Sequence, residues 1–438
     1  MQVLTIFDFL LFPIYFYFIY LIFKKIRARY KDDLELFRFF TLGFKIKILM
    51  IIFYTLISSF IIRGDAVDLY FGEGKNFTNI IINKPSQIDL LFTKAGERTD
   101  DLASEYEKGY LKAENNYMVV KVAIVLCFFT GSHFLLVNLI IGFIAFLGSW
   151  QLFLFFRNLH PYLSKYLAIA SLGIPNVIFW SSGISKDTIC IACLGFLTMS
   201  IFKVFVLKNN LLKNSLIIIL ASYLLFSVKS YILFCFLPFY FIFIIVYTIK
   251  KTSSAFLRNL LRLLVPLSII IGIFIIYDSS ESLLSELSSD KILENLSSTQ
   301  NSFLSQASRD EGSFFTLGEF DGTISGFINM APKAIAATFF RPFIWEAKNI
   351  VMIASAIESL ILLCFFLFLI FYKVGIIKFL KKIFTDPLVI FCVGFACVFA
   401  AFIGLSSFNF GSLVRYKIPC IPFFIIGLIV IGYSKKPI

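Results

Sequence analysis

The stretch LVIFCVGFACVFAAFIGL, residues 388–405, contains no charged side chain and no proline. Comparable runs, about 17 residues or longer, recur along most of the chain. A helix rises 1.5 Å per residue, so each run matches a hydrocarbon layer roughly 30 Å thick. Backbone inside a bilayer must satisfy its own hydrogen bonds, which leaves helices or closed barrels. A barrel would need short segments of alternating polarity, and none is visible. The sequence therefore reads as an all-α polytopic membrane protein, with a single transmembrane domain over residues 1–438. Composition agrees: 59% of the residues are hydrophobic and 15% charged, more apolar material than a water-soluble domain normally carries.

About eleven transmembrane helices are expected. They fall near residues 5–23, 47–62, 130–156, 165–183, 188–205, 214–228, 231–249, 259–277, 350–372, 387–405 and 418–433. Residues 118–129 are also apolar and read as an interfacial helix leading into the third span. Lys and Arg in short loops stay in the cytoplasm. KKIRARYK, residues 24–31, follows the first span, so the N-terminus is expected outside. Alternation then puts Lys208 and Lys213, Lys250 to Arg262, Lys373 to Lys382, and Lys435 and Lys436 inside, with a cytoplasmic C-terminus. The net charge of +13 is thus a topology signal, and no nucleic-acid motif accompanies it. The first span is not expected to be a cleavable leader, because its positive charge follows the apolar run instead of preceding it. The eight cysteines, the Cys190–Cys193 CxxC included, lie in apolar stretches and read as packing residues. The two histidines, His133 and His160, do not make a metal site.

Two outer loops are long, residues 63–117 and 278–349. The second opens on a Ser-rich stretch in which Leu283, Leu284, Leu287, Ile292, Leu293 and Leu296 recur at helical spacing. Amphipathic helices are expected there. Cytoplasmic loops are too short to hold a catalytic domain, so any chemistry belongs on the outer face.

Charges that do not anchor topology gather at that face. Asp65 and Asp68 follow the second span. Lys186 and Asp187 sit at the turn between the fourth and fifth. Lys229 occupies a tight outer turn, FSVKSYIL. Arg341 and Glu346 precede the ninth span, and Arg415 and Lys417 the last. Such cations also snorkel to headgroups, but Lys186 and Lys229 lie on the outside, against the positive-inside bias. Glu358 is the one acid read as deep within a span, where a carboxylate is paired or functional. Arg grips phosphate oxygens in a bidentate way and Lys acts as a point charge. A loop carboxylate suits a general base toward an acceptor hydroxyl, or a ligand for a divalent cation. The set points to sugar transfer from a polyprenyl-phosphate carrier to a glycan acceptor, with the lipid tail between spans.

At these residues the chain resembles two groups of membrane proteins. Gly64–Asp65 looks like the first loop of C-type (GT-C) membrane glycosyltransferases, and the run Phe128–Phe153 is similar to their next segment. Pro175–Asp187 (PNVIFWSSGISKD), Phe339–Glu346 (FFRPFIWE) and Leu413–Phe424 (LVRYKIPCIPFF) look like patterns of bacterial O-antigen-polymerase-like proteins. The resemblance implies a bacterial inner-membrane enzyme with an undecaprenyl-(di)phosphate-linked donor. Asp65 would be its catalytic carboxylate, with Asp68 as second choice. In the polymerase pattern Arg341 and Arg415 would be the main diphosphate-binding cations. Many C-type enzymes carry the carboxylate loop after their first span, whereas here an extra span precedes it. Two other classes remain open: a lipid or glycan transporter, and a non-enzymatic membrane subunit.

Overall fold

The computed structural model of the chain describes residues 3–96, 108–251, 315, 317–318, 324–348, 350–407 and 409–434. Among the described residues the architecture is helical, with no strand. Seven helical segments there are long and apolar enough to cross a membrane: Ile6–Tyr30, Leu34–Phe60, Phe134–Leu159, Lys186–Leu207, Leu211–Lys250, Met352–Val374 and Pro387–Ser406. A pair bent by 64°, Phe410–Tyr416 with Ile421–Tyr433, makes an eighth if it is counted as one span. The expected span at 259–277 and the amphipathic stretch at 283–296 lie outside the described residues. The chain forms two compact units, Met1–Leu233 and Phe234–Ile438.

In the first unit, α1 (Ile6–Arg27) starts from a capping box. The Thr5 amide and hydroxyl donate to one oxygen of Asp8 at 2.9 and 2.7 Å. The other oxygen accepts the Leu135 amide at 3.0 Å. One fully buried carboxylate thus serves two helix N-termini, where the macrodipoles favour negative charge. The second helix, α2 (Leu34–Phe60), begins well before the expected residue 47. Asp33 caps it, accepting the Leu36 amide at 3.0 Å, and pairs with Arg157 at 2.6 Å. That cap shortens the link after α1 to a few residues. The first loop then carries α3 (Glu73–Asn83) and a four-residue turn of helix, α4 (Lys108–Leu111).

The apolar stretch at 118–129 lies in its own helix, α5 (Glu114–Thr130), which stops at Gly131 in a left-handed conformation, φ +62°. The third expected span is α6 (Phe134–Leu159). Residues 165–183 do not form one span. They make α7 (Ser164–Leu172) and α8 (Pro175–Trp180), because Gly173 and Pro175 interrupt the hydrogen-bond ladder between them. Packing concentrates where α6 crosses α9 (Lys186–Phe202). A Cβ on Gly195 would lie 1.9 Å from the Gly148 carbonyl oxygen, so these backbones touch. Lipid tails are as apolar as Leu, so helices in a bilayer associate through such close approach. Stacked rings fill the adjacent space: Phe23 lies 4.0 Å from Phe44, and the Trp150 indole N–H donates to Tyr30 Oη at 2.8 Å.

Next in the chain is α10 (Leu211–Lys251), which runs from the first unit into the second. Two spans joined by a tight turn were expected here. Instead the two helices join at a single residue, Lys229, whose φ of −151° and ψ of 77° break the helix. At 1.5 Å per residue the whole segment would be about 60 Å long, roughly twice the hydrocarbon thickness.

The second unit contains α11 (Ile324–Phe340), α12 (Ile350–Phe368), α13 (Ile376–Thr385), α14 (Pro387–Ser406), α15 (Phe410–Tyr416) and α16 (Ile421–Tyr433). Part of the expected outer loop 278–349 is therefore helical, and α11 packs along α14. The Thr338 hydroxyl donates to the Ala400 carbonyl at 2.8 Å, and a Cβ on Gly404 would sit 2.4 Å from the Ala334 carbonyl oxygen. Phe339 stacks on Phe424 at 3.8 Å. The last expected span, 418–433, is the bent pair: α15 and α16 meet at 64°, with Pro419 in the linker between them and Pro422 in the first turn of α16.

Candidate functional site: charges at the helix breaks

The junction SSGISKD is held from three sides. Lys47, at the midpoint of α2, is buried. Its ammonium donates to the Ile178 and Ser181 carbonyls at 3.2 and 2.7 Å and to Ser181 Oγ at 2.7 Å. Three donor hydrogens meet three acceptors, at the C-terminal end of α8, where a cation is favoured. Asn138 accepts the Ile184 amide at 2.9 Å and donates to Thr55 at 3.0 Å. Gly183 fits because a Cβ there would meet the Tyr54 ring at 2.0 Å. Ser185 then caps α9, accepting the Thr188 amide at 3.2 Å.

This cap sets Lys186 and Asp187 in the first turn of α9. Asp187 is buried and pairs with Lys229 at 2.7 Å, so the helix start and the break in α10 meet through opposite charges. Lys186 is half-buried and donates to Asn115 Oδ1 at 3.0 Å. The carboxylate of Asp65, exposed in the first loop, acts on Lys186 electrostatically. Close by on α5, Asn116 accepts from the Tyr70 hydroxyl at 3.4 Å. Lys186 and Asp187 of α9 and Lys229 of α10 thus come together, with Asp65 of the first loop within electrostatic range, so that three separate segments contribute. Asp68 pairs instead with Arg63 at 3.7 Å, and both side chains are about half exposed.

The second unit gathers its own set. Arg341 ends α11, half-buried, and its Nε donates to both oxygens of Glu346 at 3.0 and 3.1 Å, with a further bond from Nη2. Its guanidinium lies over two rings, 4.5 Å from Phe315 and 5.0 Å from Phe410. Lys417, in the break between α15 and α16, is buried and donates to the Arg341 carbonyl and to Ser359 Oγ, both at 3.1 Å. Glu358, half-buried on α12, acts on Lys417 electrostatically. Arg415 is half-buried on α15.

Glu358 was read as the single deep charge, and the structure corrects that: Lys47 and Asp8 are buried in helices read as spans. Both left traces in the sequence. Thr5-x-x-Asp8 has capping-box spacing, and Lys47 interrupts an apolar run. Glu73 of α3, buried and hydrogen-bonded to Asn76 at 3.2 Å, is a further buried acid that spacing alone did not flag. Cys190 and Cys193 are both free and buried. Among the described residues no group of three or more His, Cys, Asp or Glu side chains is arranged to hold a metal. No protein-family model, no curated protein and no solved structure matches the chain.

Proposed function

We propose that the chain is a membrane glycosyltransferase of bacterial glycan assembly, moving a sugar from a polyprenyl-(di)phosphate carrier to a glycan acceptor on the outer face of the inner membrane. About eleven spans with the N-terminus outside belong to this reading. The observation that carries it is the half-buried Lys186, held by Asn115 at 3.0 Å beside the buried Asp187–Lys229 pair. Lys229 is matched by its own carboxylate, whereas the hydrogen bond of Lys186 goes to a neutral amide. Lys186 is therefore the cation with charge to offer a phosphate. Asp65, exposed in the first loop, accepts the proton of an acceptor hydroxyl as that oxygen attacks the anomeric carbon. The leaving phosphate takes the electron pair and is stabilised by Lys186. In the second unit Arg341, Arg415 and Lys417 are the set that an O-antigen-type polymerase would use for a diphosphate, which there must compete with Glu346 for Arg341.

The test is transfer of labelled sugar from a polyprenyl-phosphate donor by purified protein in lipid. Asp65→Asn is expected to abolish it at unchanged folded yield, and Asp68→Asn to retain it. Full activity in both variants, with loss in Arg341→Ala or Arg415→Ala, favours an O-antigen-type polymerase instead.

A transporter is the second reading, favoured by Lys47 and by breaks at Lys229 and Lys417. Discontinuous helices and intramembrane charge are features of substrate pathways. Movement of lipid-linked glycan across vesicles, with no glycosidic product, would select it over transfer.

A further inference from the structure

The ten residues of α13, IIKFLKKIFT, join two helices long and apolar enough to span a membrane, Met352–Val374 and Pro387–Ser406. Gly375, at φ +83°, makes the turn before it, and Asp386 alone separates it from α14. With a span ending one residue before it and another beginning one residue after it, α13 is confined to the face of the bilayer. Its surface is divided three ways. Phe379 is buried and meets the Phe366 ring edge-on at 5.8 Å. Lys382 donates to the Ile431 carbonyl at 2.7 Å and the Ser434 carbonyl at 3.3 Å, at the C-terminal end of α16. These contacts pin the helix to its own unit. A second flank is apolar and open: Ile376, Ile377, Leu380 and Phe384 share it at helical spacing, with Ile377 83% and Phe384 76% exposed. On the remaining side stand Lys378 and Lys381, both exposed, and the helix contains no acid.

We propose that α13 is a membrane-surface helix that binds anionic phospholipid. Ile377, Leu380 and Phe384 enter the boundary between headgroups and acyl chains, and Lys378 and Lys381 hold the phosphates of anionic lipids in the same leaflet. Charge and position identify the occupant. An apolar flank beside two lysines, at the depth where two spans end, meets headgroups with acyl chains beneath them. This inference does not depend on the glycosyl-transfer reading.

The full-length protein, purified in detergent from membranes or returned to phosphatidylcholine vesicles with and without phosphatidylglycerol, provides the test. Each lysine near an anionic surface changes binding about fivefold. Lys378→Gln/Lys381→Gln is therefore expected to lower retained phosphatidylglycerol by tenfold or more, while Lys112→Gln in the first loop leaves it unchanged. Equal retention in all three proteins overturns the proposal. If the double variant does not fold, Ile377→Trp carries the test, since it alters one exposed side chain. The added emission is expected to be quenched by phospholipid brominated near the headgroup, and aqueous iodide to leave it bright. Quenching by iodide alone, or by neither agent because a protein surface covers the residue, overturns the proposal as well.

Discussion

Two ion pairs, one in each unit, have the same elements and opposite settings. Asp187–Lys229 is closed: both side chains are almost fully buried, and each charge is met by the other. Arg341–Glu346 is open: its side chains are 20% and 16% exposed, and the guanidinium is spread over two rings as well as a carboxylate. Desolvation of the first pair is complete in the folded state, so its two charges depend on one another. The second keeps contact with its surroundings and can trade a partner. The difference separates a charge that holds helices together from one that can take part in binding, although in the sequence both read as charges beside apolar runs.

Removing one member of the closed pair should have the largest effect. Lys229→Met leaves Asp187 buried without its lysine, and about 3–5 kcal/mol of stability is expected to be lost. Thermal unfolding of the purified protein reads this directly. Adding Asp187→Leu should restore most of the loss; a double variant as unstable as the single one would show that the pair is not mutually dependent. At the open pair, Arg341→Ala is expected to cost about 1–2 kcal/mol through lost ring contact and a lost, partly buried ion pair. Its main effect should fall on donor binding, read as a raised KM. A loss as large as that of Lys229→Met would place Arg341 with the structural charges and erase the contrast.

Smaller effects probe what positions the closed pair. Ser185→Ala removes the cap of α9 and should cost about 1 kcal/mol. The same substitution should disturb the Lys186 neighbourhood, lowering kcat more than it changes the melting temperature. The smallest effect concerns Asp33. The Leu36 amide, and next to it Arg157, hold its carboxyl below the usual carboxylate range. The folded form thus releases its proton more readily than the unfolded one. The stabilisation is present above the unfolded pKa of about 4 and lost as pH falls through the lower folded value. Asp33→Asn should therefore reduce stability slightly at neutral pH and flatten its decline in acid. An unchanged acid limb would remove this role.

Much of the helical plan was legible, because a run of apolar residues can satisfy its backbone in lipid in only one open-ended way. LVIFCVGFACVFAAFIGL is helical over Pro387–Ser406, close to its expected bounds. Boundaries failed where a cap or a break overrode hydropathy. Asp33 extends α2 past a basic stretch that read as loop, and Pro175 divides what read as one span. The sequence places Lys229 in a tight turn between two spans, and in the structure that single residue departs from helical geometry. The depth of Lys47 was not legible because the expected span starts at residue 47, which puts Lys47 beside Lys45 at a helix end, whereas α2 begins at Leu34 and carries it to the middle.

By itself the sequence determined that this chain is helical, apolar enough for a bilayer, and interrupted at positions rich in Gly, Ser and Pro where charges stand. Those properties follow from local chemistry: backbone hydrogen bonding in lipid and the conformational limits of each residue. Only the tertiary structure decided which charges meet. Asp187 finds Lys229, Lys186 meets Asn115, Lys417 holds the Arg341 carbonyl, and Lys47 closes the end of a short helix. Pairing of this kind joins residues tens of positions apart, and it depends on how closely helices approach, as at Gly148 and Gly195. Nothing in the residues flanking a charge encodes that distance.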